Sequence, residues 1–362
     1  MKYYIISGET SGDNHASRVI QKIAKRDKNA QFRGMGGDKS QAAGQTLFIH
    51  QKEMAIMGFV EILGSLFKII RNLKRIKKDI LDWKPDALIL VDYPGFNFKI
   101  AKFAKAVGIP VHYYISPKVW AWKEGRVKNI KKDVNFLYSI LPFEKAFFKS
   151  HNINSIYVGN PSKESVDEYI KSNPNLTEKN YIALLPGSRK QEIKKALPIM
   201  LEAVKDYKIP ILVAQAPGFS DRFYHQFDSK FKLVTNDMYA LLNKSKLALV
   251  TSGTATLETA LMGVPQIVCY TTNRISYWIG RSLIKVKYIS LVNLILDNKT
   301  VIELIQDEFN SKKLKLEIDR LFEDKNFQDK INQDYQELRK KLGTSIPSTS
   351  VAKSIIASLD KV

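Results

Sequence analysis

The stretch KYYIISGETSGD, Lys2 to Asp13, runs from an apolar segment into a turn of small and polar residues. The aliphatic and aromatic residues of Lys2–Ser7 predict a buried parallel strand. Gly8 and Gly12 permit a tight loop after this strand, and Asp13 is placed to cap a following helix. The same order of strand, small-residue turn and helix recurs along the chain, which predicts an α/β fold with parallel strands.

The predicted strands form two sets, separated by the polar segment KSNPNLTEKN at 171–180. They are Lys2–Ser7, Ala87–Asp92, Val111–Ser116 and Ser155–Val158 in the first set, and Tyr181–Pro186, Pro210–Gln215, Leu247–Ser252 and Pro265–Tyr270 in the second. We therefore expect two doubly wound Rossmann-like domains, 1–170 and 171–345, facing a central cleft. The chain from Thr300 onward is predicted to be helical, with a final helix in 346–362 packing back on the first domain.

Composition narrows the classes of function. The chain has 362 residues and 57 Lys and Arg against 36 Asp and Glu, a formal charge of +21. This charge favours an anionic partner, which could be a nucleic acid, an acidic bilayer or a phosphorylated small molecule. The single cysteine, Cys269, excludes an internal disulfide, and no apolar run reaches the ~20 residues that cross a bilayer. A cytoplasmic protein without a signal peptide is expected.

Two turns in the second set have the features of phosphate-binding turns. LLPGSRKQEI, 184–193, and TSGTATLE, 251–258, each lead from a strand into a helix. The candidate ligand-binding residues are Gly187, Ser188 and Arg189 in the first turn, and Ser252, Gly253 and Thr254 in the second. Backbone N–H groups at a helix start and a guanidinium group both favour phosphate oxygens, whereas the alternative is an ordinary capped helix with a surface arginine. Glu258 could accept hydrogen bonds from a ribose diol, so the two turns together indicate a nucleoside diphosphate.

The first set offers a candidate base. In VDYPGFN, Val91 to Asn97, Asp92 ends an apolar strand where a general base could face the cleft, although structural carboxylates are also common there. His15 is the rival base. In YYISPKVWAWKEGR the residues Trp120, Trp122 and Arg126 indicate either aromatic packing or a platform for a sugar or acyl chain.

The segment MAIMGFVEILGSLFKIIRNLKRIKK, 54–78, places an apolar run beside many cations. The apolar residues Leu63, Leu66, Phe67, Ile70, Leu73, Ile76 and Ile80 follow helical spacing. Such a helix either covers the core of its own domain or binds an anionic membrane surface. In the second case we expect acyl chains to enter near Met57 and Phe59.

Seven motifs, GETSGD, MGFVEILG, VDYPGFN, ISPKVWAWKEGR, LPFE, LLPGSR and TSGTATLE, occur in the order and spacing of the lipid-A-disaccharide synthase family. The chain resembles this family over most of its length. The resemblance implies a GT-B fold and an inverting, metal-independent transfer of 2,3-diacylglucosamine from UDP to 2,3-diacylglucosamine 1-phosphate. The products are UDP and a β-1,6-linked disaccharide 1-phosphate, and no cofactor is required. It further implies peripheral binding to the cytoplasmic face of the inner membrane and allows a homodimer formed by exchange of the segment after Ser345.

Site residues follow from the same resemblance. Asp92 matches the essential aspartate, Arg189 an arginine beside the diphosphate, and Asn293 a functional asparagine. The expected substrate-binding residues are Gly8, Glu9, Ser11, Gly12, Met57, Phe59, Ser116, Trp120, Trp122, Arg126, Gly187, Ser188, Ser252, Gly253, Thr254, Glu258 and Asn293. Three positions depart from the family pattern: Gly95 replaces an acid, Asn160 a histidine and Val292 a proline. No Asp-x-Asp pair is present to bridge a metal ion and a diphosphate, so no metal site is expected.

Three other functions remain open on the sequence. A peptidoglycan GlcNAc transferase would share the UDP-binding half but should lack SPKVWAW. A UDP-GlcNAc 2-epimerase would share the fold without using a lipid. A nucleic-acid-binding protein would explain the charge of +21, but the chain has no basic motif interleaved with aromatic residues, so no nucleic-acid partner is expected.

Overall fold

The computed structural model describes residues 1–54, 62–174, 179–228, 230–235, 237–273, 277 and 286–360, with the backbone alone at 62–66. Met57 and Phe59, where acyl chains are expected to enter, lie outside these residues. The chain divides into two compact units. The first comprises Met1–Pro161 and Thr344–Val362, and the second comprises Ser162–Gly343.

The described strands and helices alternate along most of the chain. The strands are β1 (Lys2–Ser7), β2 (Gln31–Gly36), β3 (Gln45–His50), β4 (Ala87–Val91), β5 (Val111–Tyr114), β6 (Phe136–Ser139), β7 (Ser155–Tyr157), β8 (Tyr181–Leu185), β9 (Ile211–Gln215), β10 (Lys232–Thr235), β11 (Ser245–Thr251), β12 (Gln266–Tyr270) and β13 (Ile302–Ile305). The helices are α1 (Thr10–Ala24), α2 (Asp38–Ala42), α3 (Ile62–Trp83), α4 (Pro94–Ala106), α5 (Val127–Asp133), α6 (Glu144–Ser150), α7 (Pro161–Ser172), α8 (Lys190–Val204), α9 (Asp221–His225), α10 (Met238–Asn243), α11 (Thr254–Leu261), α12 (Leu291–Leu296), α13 (Ser311–Glu323), α14 (Lys325–Leu342) and α15 (Pro347–Leu359).

Each unit contains one parallel sheet of the doubly wound type. The strand order in the described part of the chain is β3-β2-β1-β4-β5-β6-β7 in the first unit and β10-β9-β8-β11-β12-β13 in the second. In both sheets the next strands along the chain are added on one side of the first strand, and the later strands are added on its other side. The order reverses between β1 and β4 and between β8 and β11, and ligands of such sheets bind beyond the carboxyl ends of the strands at this point. The predicted fold of two doubly wound α/β units is confirmed.

The eight strands expected from the sequence are all present, with ends shifted by a few residues, and five further strands were not predicted. These are β2, β3, β6, β10 and β13. Most are short or carry polar residues, as in QFRGMG and KLVT, so their apolar signal is weak. The prediction that the chain is helical from Thr300 is wrong at Ile302–Ile305, which pairs with β12 as an outer strand of the sheet. Long helices begin only at Ser311.

The final helix belongs to the first unit. Val351, Ala352 and Ile355 of α15 are buried in the same apolar cluster as Val19 and Ile20 of α1. Hydroxyl groups add polar contacts, because the Tyr138 hydroxyl donates to Ser354 Oγ at 3.0 Å. The C-terminal helix therefore completes one face of the first sheet.

The boundary between the units lies before α7 and not after residue 170. Helix α7 is part of the second unit because Arg339 Nη1 donates to Asp167 Oδ1 at 2.8 Å and the Tyr169 ring lies 5.4 Å from the Tyr239 ring. The polar segment at 171–180, which separates the two sets of predicted strands, begins in the last turn of this helix. The polarity of this segment therefore does not mark the point where the chain changes units.

Helix α3 combines two kinds of apolar residue. Leu73, Ile76 and Ile80 are buried against the sheet, as a helix that covers its own core requires. In contrast, Phe67 is 74% and Ile70 is 40% exposed near the other end of the helix. The core-covering interpretation therefore accounts for the C-terminal half of α3 only. None of the helices in the described ranges is long and apolar enough to span a bilayer.

Buried His112 predicts a pH dependence of stability. Its ring stacks on Phe136 with centroids 4.6 Å apart, and Nδ1 lies 2.9 Å from the Tyr138 hydroxyl. Burial lowers the pKa of His112 to about 3 from an ordinary 6.5. The unfolded chain therefore binds a proton below pH 6.5 that the folded chain does not bind until near pH 3, so stability falls as the pH falls through this window.

We expect the free energy of unfolding to fall by about 2 kcal/mol between pH 7 and pH 5 because of this histidine. His112→Gln, which cannot titrate, should show a correspondingly smaller loss. Denaturant titrations of both proteins at pH 7, 6 and 5 measure the difference. Equal pH dependence in the two proteins would show that His112 does not carry the effect.

Candidate active site

The sequence motifs lie at the two points where the strand order reverses. In the first unit, GETSGD follows β1 and DYPGFN follows the adjacent β4, with Ser7 paired to Val91 at the strand ends. In the second unit, PGSR follows β8 and SGT follows the adjacent β11, with Leu185 paired to Val250. Each unit thus places two motifs side by side at the edge where doubly wound sheets bind ligands.

Gly8 and Tyr93 join the two motifs of the first unit. A Cβ atom on Gly8 would lie 2.3 Å from Tyr93 Cδ1, so the aromatic ring rests on the glycine backbone. No other residue type fits there without moving the ring. The first glycine of GETSGD is therefore required by contact with the DYPGFN turn, in addition to any role in its own loop.

The DYPGFN turn holds Asp92 in a constrained backbone. Asp92 and Tyr93 both have left-handed φ values, 48° and 49°, which are unfavourable for residues other than glycine by roughly 1–3 kcal/mol each. The turn is stabilised by two donors to the Asp92 carbonyl, Asn97 Nδ2 and the Tyr113 hydroxyl, both at 2.7 Å. The Asp92 N–H donates to the Tyr114 carbonyl at 3.0 Å. All these bonds use backbone atoms of Asp92, so its carboxylate is left for other partners.

The surroundings of Asp92 suit a general base. Burial raises the pKa of the Asp92 carboxyl, while the positive charge of Lys118 and the Tyr93 N–H act in the opposite direction. A carboxylate that is partly desolvated is a stronger base than one in water. The sequence did not identify Asn97, Tyr113 or Lys118, because their relation to Asp92 arises from α4 and from the neighbouring strand β5 and its loop.

His15 has the properties of a weaker base. Burial, followed by the charges of Arg18 and Lys39, lowers the pKa of His15 to about 4. Its Nδ1 is buried and has no hydrogen-bond partner among the described residues. The imidazole is thus neutral at pH 7 but binds a proton poorly.

Other residues of GETSGD differ in exposure and partners. Glu9 and Ser11 are exposed, while Gly12 is buried with Val91 and Ser7 close by. The prediction that Asp13 caps α1 is wrong. Asp13 lies inside the first turn of that helix, and Glu9 occupies the cap position. Its carboxylate accepts instead from the N–H groups that begin α2, at Gly37, Lys39 and Ser40.

The two tryptophans of SPKVWAW have different environments. Trp120 Nε1 donates to Glu144 Oε1 at 2.9 Å, and its ring meets Phe143 edge-on at 4.8 Å. Trp120 therefore anchors the loop. Trp122 is 44% exposed and lies under two cations, with Lys123 Nζ at 4.3 Å and Arg126 Cζ at 6.0 Å from the ring centroid. Ser116, which begins this loop, is buried.

In the second unit, Glu192 occupies the interior of the PGSR turn. The N–H groups of Ser188 and Arg189 donate to Glu192 Oε2 at 3.1 and 3.2 Å, and Arg189 Nη1 donates to Oε1 at 3.0 Å. Gly187 has φ of 107° and leaves room for this carboxylate, since a Cβ there would lie 2.7 Å from Oε2. Two backbone N–H groups and one guanidinium N–H that the sequence assigns to phosphate thus bind the protein's own carboxylate. The Arg189 side chain is 82% exposed and remains accessible to a ligand.

The SGT turn is more open. Gly253 and Thr254 are exposed at the start of α11, while Ser252 Oγ donates to the Ile289 carbonyl at 3.2 Å. Glu258 lies one turn further along the helix, and the Tyr239 hydroxyl donates to its Oε1 at 3.1 Å. Burial raises the pKa of Glu258. The predicted ribose acceptor is therefore only partly exposed, and the hydroxyl groups of Tyr239 and Ser162 already donate to it.

Asn293 is buried and fully hydrogen-bonded. Its Nδ2 donates to the Val301 carbonyl and to Glu303 Oε1, and its Oδ1 accepts from the N–H groups of Thr300 and Val301, all at 2.9 Å. Glu303 in turn accepts from the N–H of Ser290 at 3.0 Å. This geometry gives Asn293 a positioning role, because it holds the segment that also receives the Ser252 hydroxyl.

No group of three or more His, Cys, Asp and Glu side chains that could hold a metal ion occurs in the described ranges.

Comparison with known proteins assigns the family. The model of the lipid-A-disaccharide synthetase family matches residues 3–357. The chain belongs to the lipid-A-disaccharide synthetase family. A lipid-A-disaccharide synthase of Myxococcus xanthus is 35% identical over 97% of this chain and 96% of its own length. The enzyme of the same name from Nitrosococcus oceani is 34% identical over 98% and 96%.

Solved structures show the fold that lipid-A-disaccharide synthetases share with other proteins. A UDP-GlcNAc 2-epimerase of Methanocaldococcus jannaschii, solved with UDP-GlcNAc and UDP, superposes with a TM-score of 0.64 at 14% identity and covers all of both chains. MurG of Acinetobacter baumannii gives 0.58 at 13% identity, with 100% and 99% covered. The fold is of the GT-B type, as the resemblance implied.

The three departures from the pattern of this synthetase family are accommodated locally. Gly95 is exposed, and a Cβ there would meet nothing within 4 Å, so the loss of an acid leaves the turn intact. Asn160 is buried, and its Nδ2 donates to the Ile140 carbonyl at 3.1 Å. Val292 is buried in the first turn of α12, which Ser290 caps through its hydroxyl.

Proposed function

We propose that this chain transfers 2,3-diacylglucosamine from UDP to the 6-hydroxyl of 2,3-diacylglucosamine 1-phosphate, giving UDP and the β-1,6-linked disaccharide 1-phosphate of lipid A. The observation that carries the proposal is the pair of motif turns at each switch point, within a chain of this family. One unit offers a partly buried carboxylate in a constrained turn, and the other offers an exposed arginine at a helix start.

Asp92 is the proposed general base. The proton of the acceptor 6-hydroxyl passes to a carboxylate oxygen of Asp92 as the hydroxyl oxygen bonds to the anomeric carbon of the donor. The bond from that carbon to the diphosphate breaks, and its electron pair leaves with UDP. Attack from the face opposite to UDP inverts the anomeric centre. Asn97 and Tyr113 keep the Asp92 turn in place through its carbonyl, so the base needs little reorganisation.

Arg189 is the proposed charge stabiliser for the departing diphosphate. Its guanidinium is exposed and is held at one end by Glu192, which orients the group without burying it. The open N–H groups at the start of α11 would add partial positive charge. With these groups supplying the electrostatic stabilisation, the transfer is proposed to need no metal ion. The first unit would then bind the acceptor and the second the UDP-sugar.

Assays of purified protein with both acylated precursors, each single precursor, and UDP-GlcNAc alone test the function. We expect UDP release only when both precursors are present. Conversion of UDP-GlcNAc alone would instead favour a UDP-GlcNAc 2-epimerase. Transfer of GlcNAc to an added lipid-linked peptidoglycan precursor would favour a peptidoglycan GlcNAc transferase.

Peripheral association with an anionic membrane is the second part of the proposal. The donor and acceptor carry acyl chains and reside in a bilayer, and α3 exposes Phe67 and Ile70 beside cations. Arg71, Lys74 and Lys78 are exposed on this helix. Each cation near an anionic surface contributes about 1 kcal/mol. The cytoplasmic face of the inner membrane is the proposed location.

Changing Arg71, Lys74 and Lys78 to Glu should weaken binding to anionic vesicles more than about tenfold at low salt. Arg75 is left unchanged because it pairs with Glu53 at 3.6 Å. The matched control changes Lys312, Lys325 and Lys330 of the second unit to Glu, which gives the same net charge. Co-sedimentation measures binding, and equal binding by the two folded variants would contradict a specific role for α3.

A further inference from the structure

The loop after β5 carries cations without a carboxylate partner next to the proposed base. Within the part of the chain that the structure describes, no ion pair involves Lys118, Lys123 or Arg126. Other cations are compensated, for example Arg33, whose Nη2 lies 2.8 Å from Asp79 Oδ1. A group of uncompensated cations in one loop is suited to an anionic ligand.

Buried side chains anchor the loop to its unit. Val119 is buried, and Trp120 is tied to buried Glu144 through its indole N–H. Lys123 adopts a left-handed backbone, φ 55°, and its carbonyl accepts from the Arg126 N–H at 2.9 Å. The buried anchors and this turn leave Trp122 with both cations over its ring. The positive groups are thus held by a fixed scaffold.

A chain of contacts connects these cations to Asp92. The Arg126 guanidinium lies 5.9 Å from the Phe98 ring, and the Phe98 ring lies 6.0 Å from the Tyr113 ring. The Tyr113 hydroxyl donates to the Asp92 carbonyl at 2.7 Å. The charge of Lys118 also acts on the Asp92 carboxyl. Arg126 is therefore linked to the Asp92 turn through Phe98 and Tyr113, and Lys118 acts on the Asp92 carboxyl through its charge.

The chemistry of the proposed acceptor matches this arrangement. Its reacting 6-hydroxyl and its 1-phosphate are at opposite ends of one hexose ring, so a phosphate site is needed one sugar ring from the base. A guanidinium binds phosphate through two parallel N–H···O bonds, and a lysine adds a point charge. Trp122, which is 44% exposed, offers an aromatic platform for the sugar ring between the base and the phosphate site.

We infer that Arg126, together with Lys123 and Lys118, binds the phosphate of the acceptor and selects phosphorylated over unphosphorylated acceptors. The inference rests on the proposed function, because it names the acceptor subsite of that reaction. Arg126 is the central residue, since it contacts both Trp122 and Phe98 and has the fork geometry that phosphate favours.

The test compares the native protein and Arg126→Gln with two acceptors, 2,3-diacylglucosamine 1-phosphate and the same lipid without phosphate. We expect the variant to lose about 10–100-fold in kcat/KM for the phosphorylated acceptor, mainly through KM, and less than about threefold for the other. Lys128→Gln, an exposed cation on α5, serves as the matched control and should change neither value. Equal losses with both acceptors would overturn the inference, because Arg126 would then act only by supporting the Asp92 turn.

A binding measurement keeps the inference testable apart from catalysis. Calorimetry with glucosamine 1-phosphate and with glucosamine should show binding of the phosphorylated sugar by the native protein and its loss in Arg126→Gln. If the native protein makes no disaccharide but shows this difference, the proposed function fails and the anion subsite stands. If neither sugar binds better to the native protein than to the variant, the subsite is wrong.

Discussion

Asp92→Asn is expected to lower turnover by about 10²–10⁴-fold and to leave UDP binding unchanged. Asparagine has the same shape but cannot accept the hydroxyl proton. The hydrogen bonds that hold the turn use the backbone carbonyl and N–H of residue 92, so they should survive the substitution. Initial rates of disaccharide formation give the first quantity, and calorimetric titration with UDP gives the second.

Two further variants serve as comparisons for Asp92→Asn. Asp82→Asn, an exposed carboxylate of α3, should keep the native rate. Arg189→Ala should weaken UDP binding as well as lower turnover, because its guanidinium is the proposed stabiliser of the diphosphate and belongs to the other unit. If Asp92→Asn keeps a near-native rate, Asp92 is not the base, and His15 or Glu9 becomes the preferred candidate.

Gly8→Ala should lower turnover by about 10²-fold or more, although residue 8 carries no reactive group. Its Cβ would lie 2.3 Å from Tyr93 Cδ1 and 2.5 Å from Cγ, the ring atom nearest the backbone, so we expect the left-handed Asp92–Tyr93 turn to shift as the ring is displaced. Displacement of a catalytic group by about 1 Å is enough for such a loss. The overpacking should also cost about 1–3 kcal/mol of stability.

Gly95→Ala is the matched control, because it changes the same residue type in the neighbouring motif where a Cβ meets nothing within 4 Å. It should retain both the rate and the stability. The double variant Gly8→Ala/Tyr93→Ala should be more stable than Gly8→Ala alone, since the clash is removed. Similar rates for Gly8→Ala and Gly95→Ala would refute the proposed coupling between the two motifs.

The fold was predictable because its central strands are strongly apolar. ALILV and YIALL are buried runs that only a parallel sheet or a core helix explains, and each is followed by a small-residue turn. Outer strands carry weaker patterns: β13, IELI, has only alternate residues buried and lies in a charged region. Sequence periodicity therefore identifies the centre of a doubly wound sheet better than its edges.

The motif sequences alone predict the roles of Asp92 and Arg189, and these roles stay predictions that the variants above test. Contacts between residues of different segments could not be predicted from the sequence motifs. Tyr113 reaches the Asp92 carbonyl from β5, and Glu192 folds back into the turn that precedes it. Asn293 was expected to contact substrate, but burial and four hydrogen bonds give it a positioning role. Such contacts depend on the folded arrangement and leave no local pattern.

The most direct test of the central claim is the product formed from UDP-2,3-diacylglucosamine and 2,3-diacylglucosamine 1-phosphate in the presence of excess EDTA. Mass spectrometry and NMR of the lipid product should show a disaccharide 1-phosphate with a β-1,6 linkage, formed together with an equal amount of UDP. Release of UDP without a disaccharide, an α-linked product, or activity that returns only on addition of Mg²⁺ would contradict the proposed inverting, metal-independent transfer.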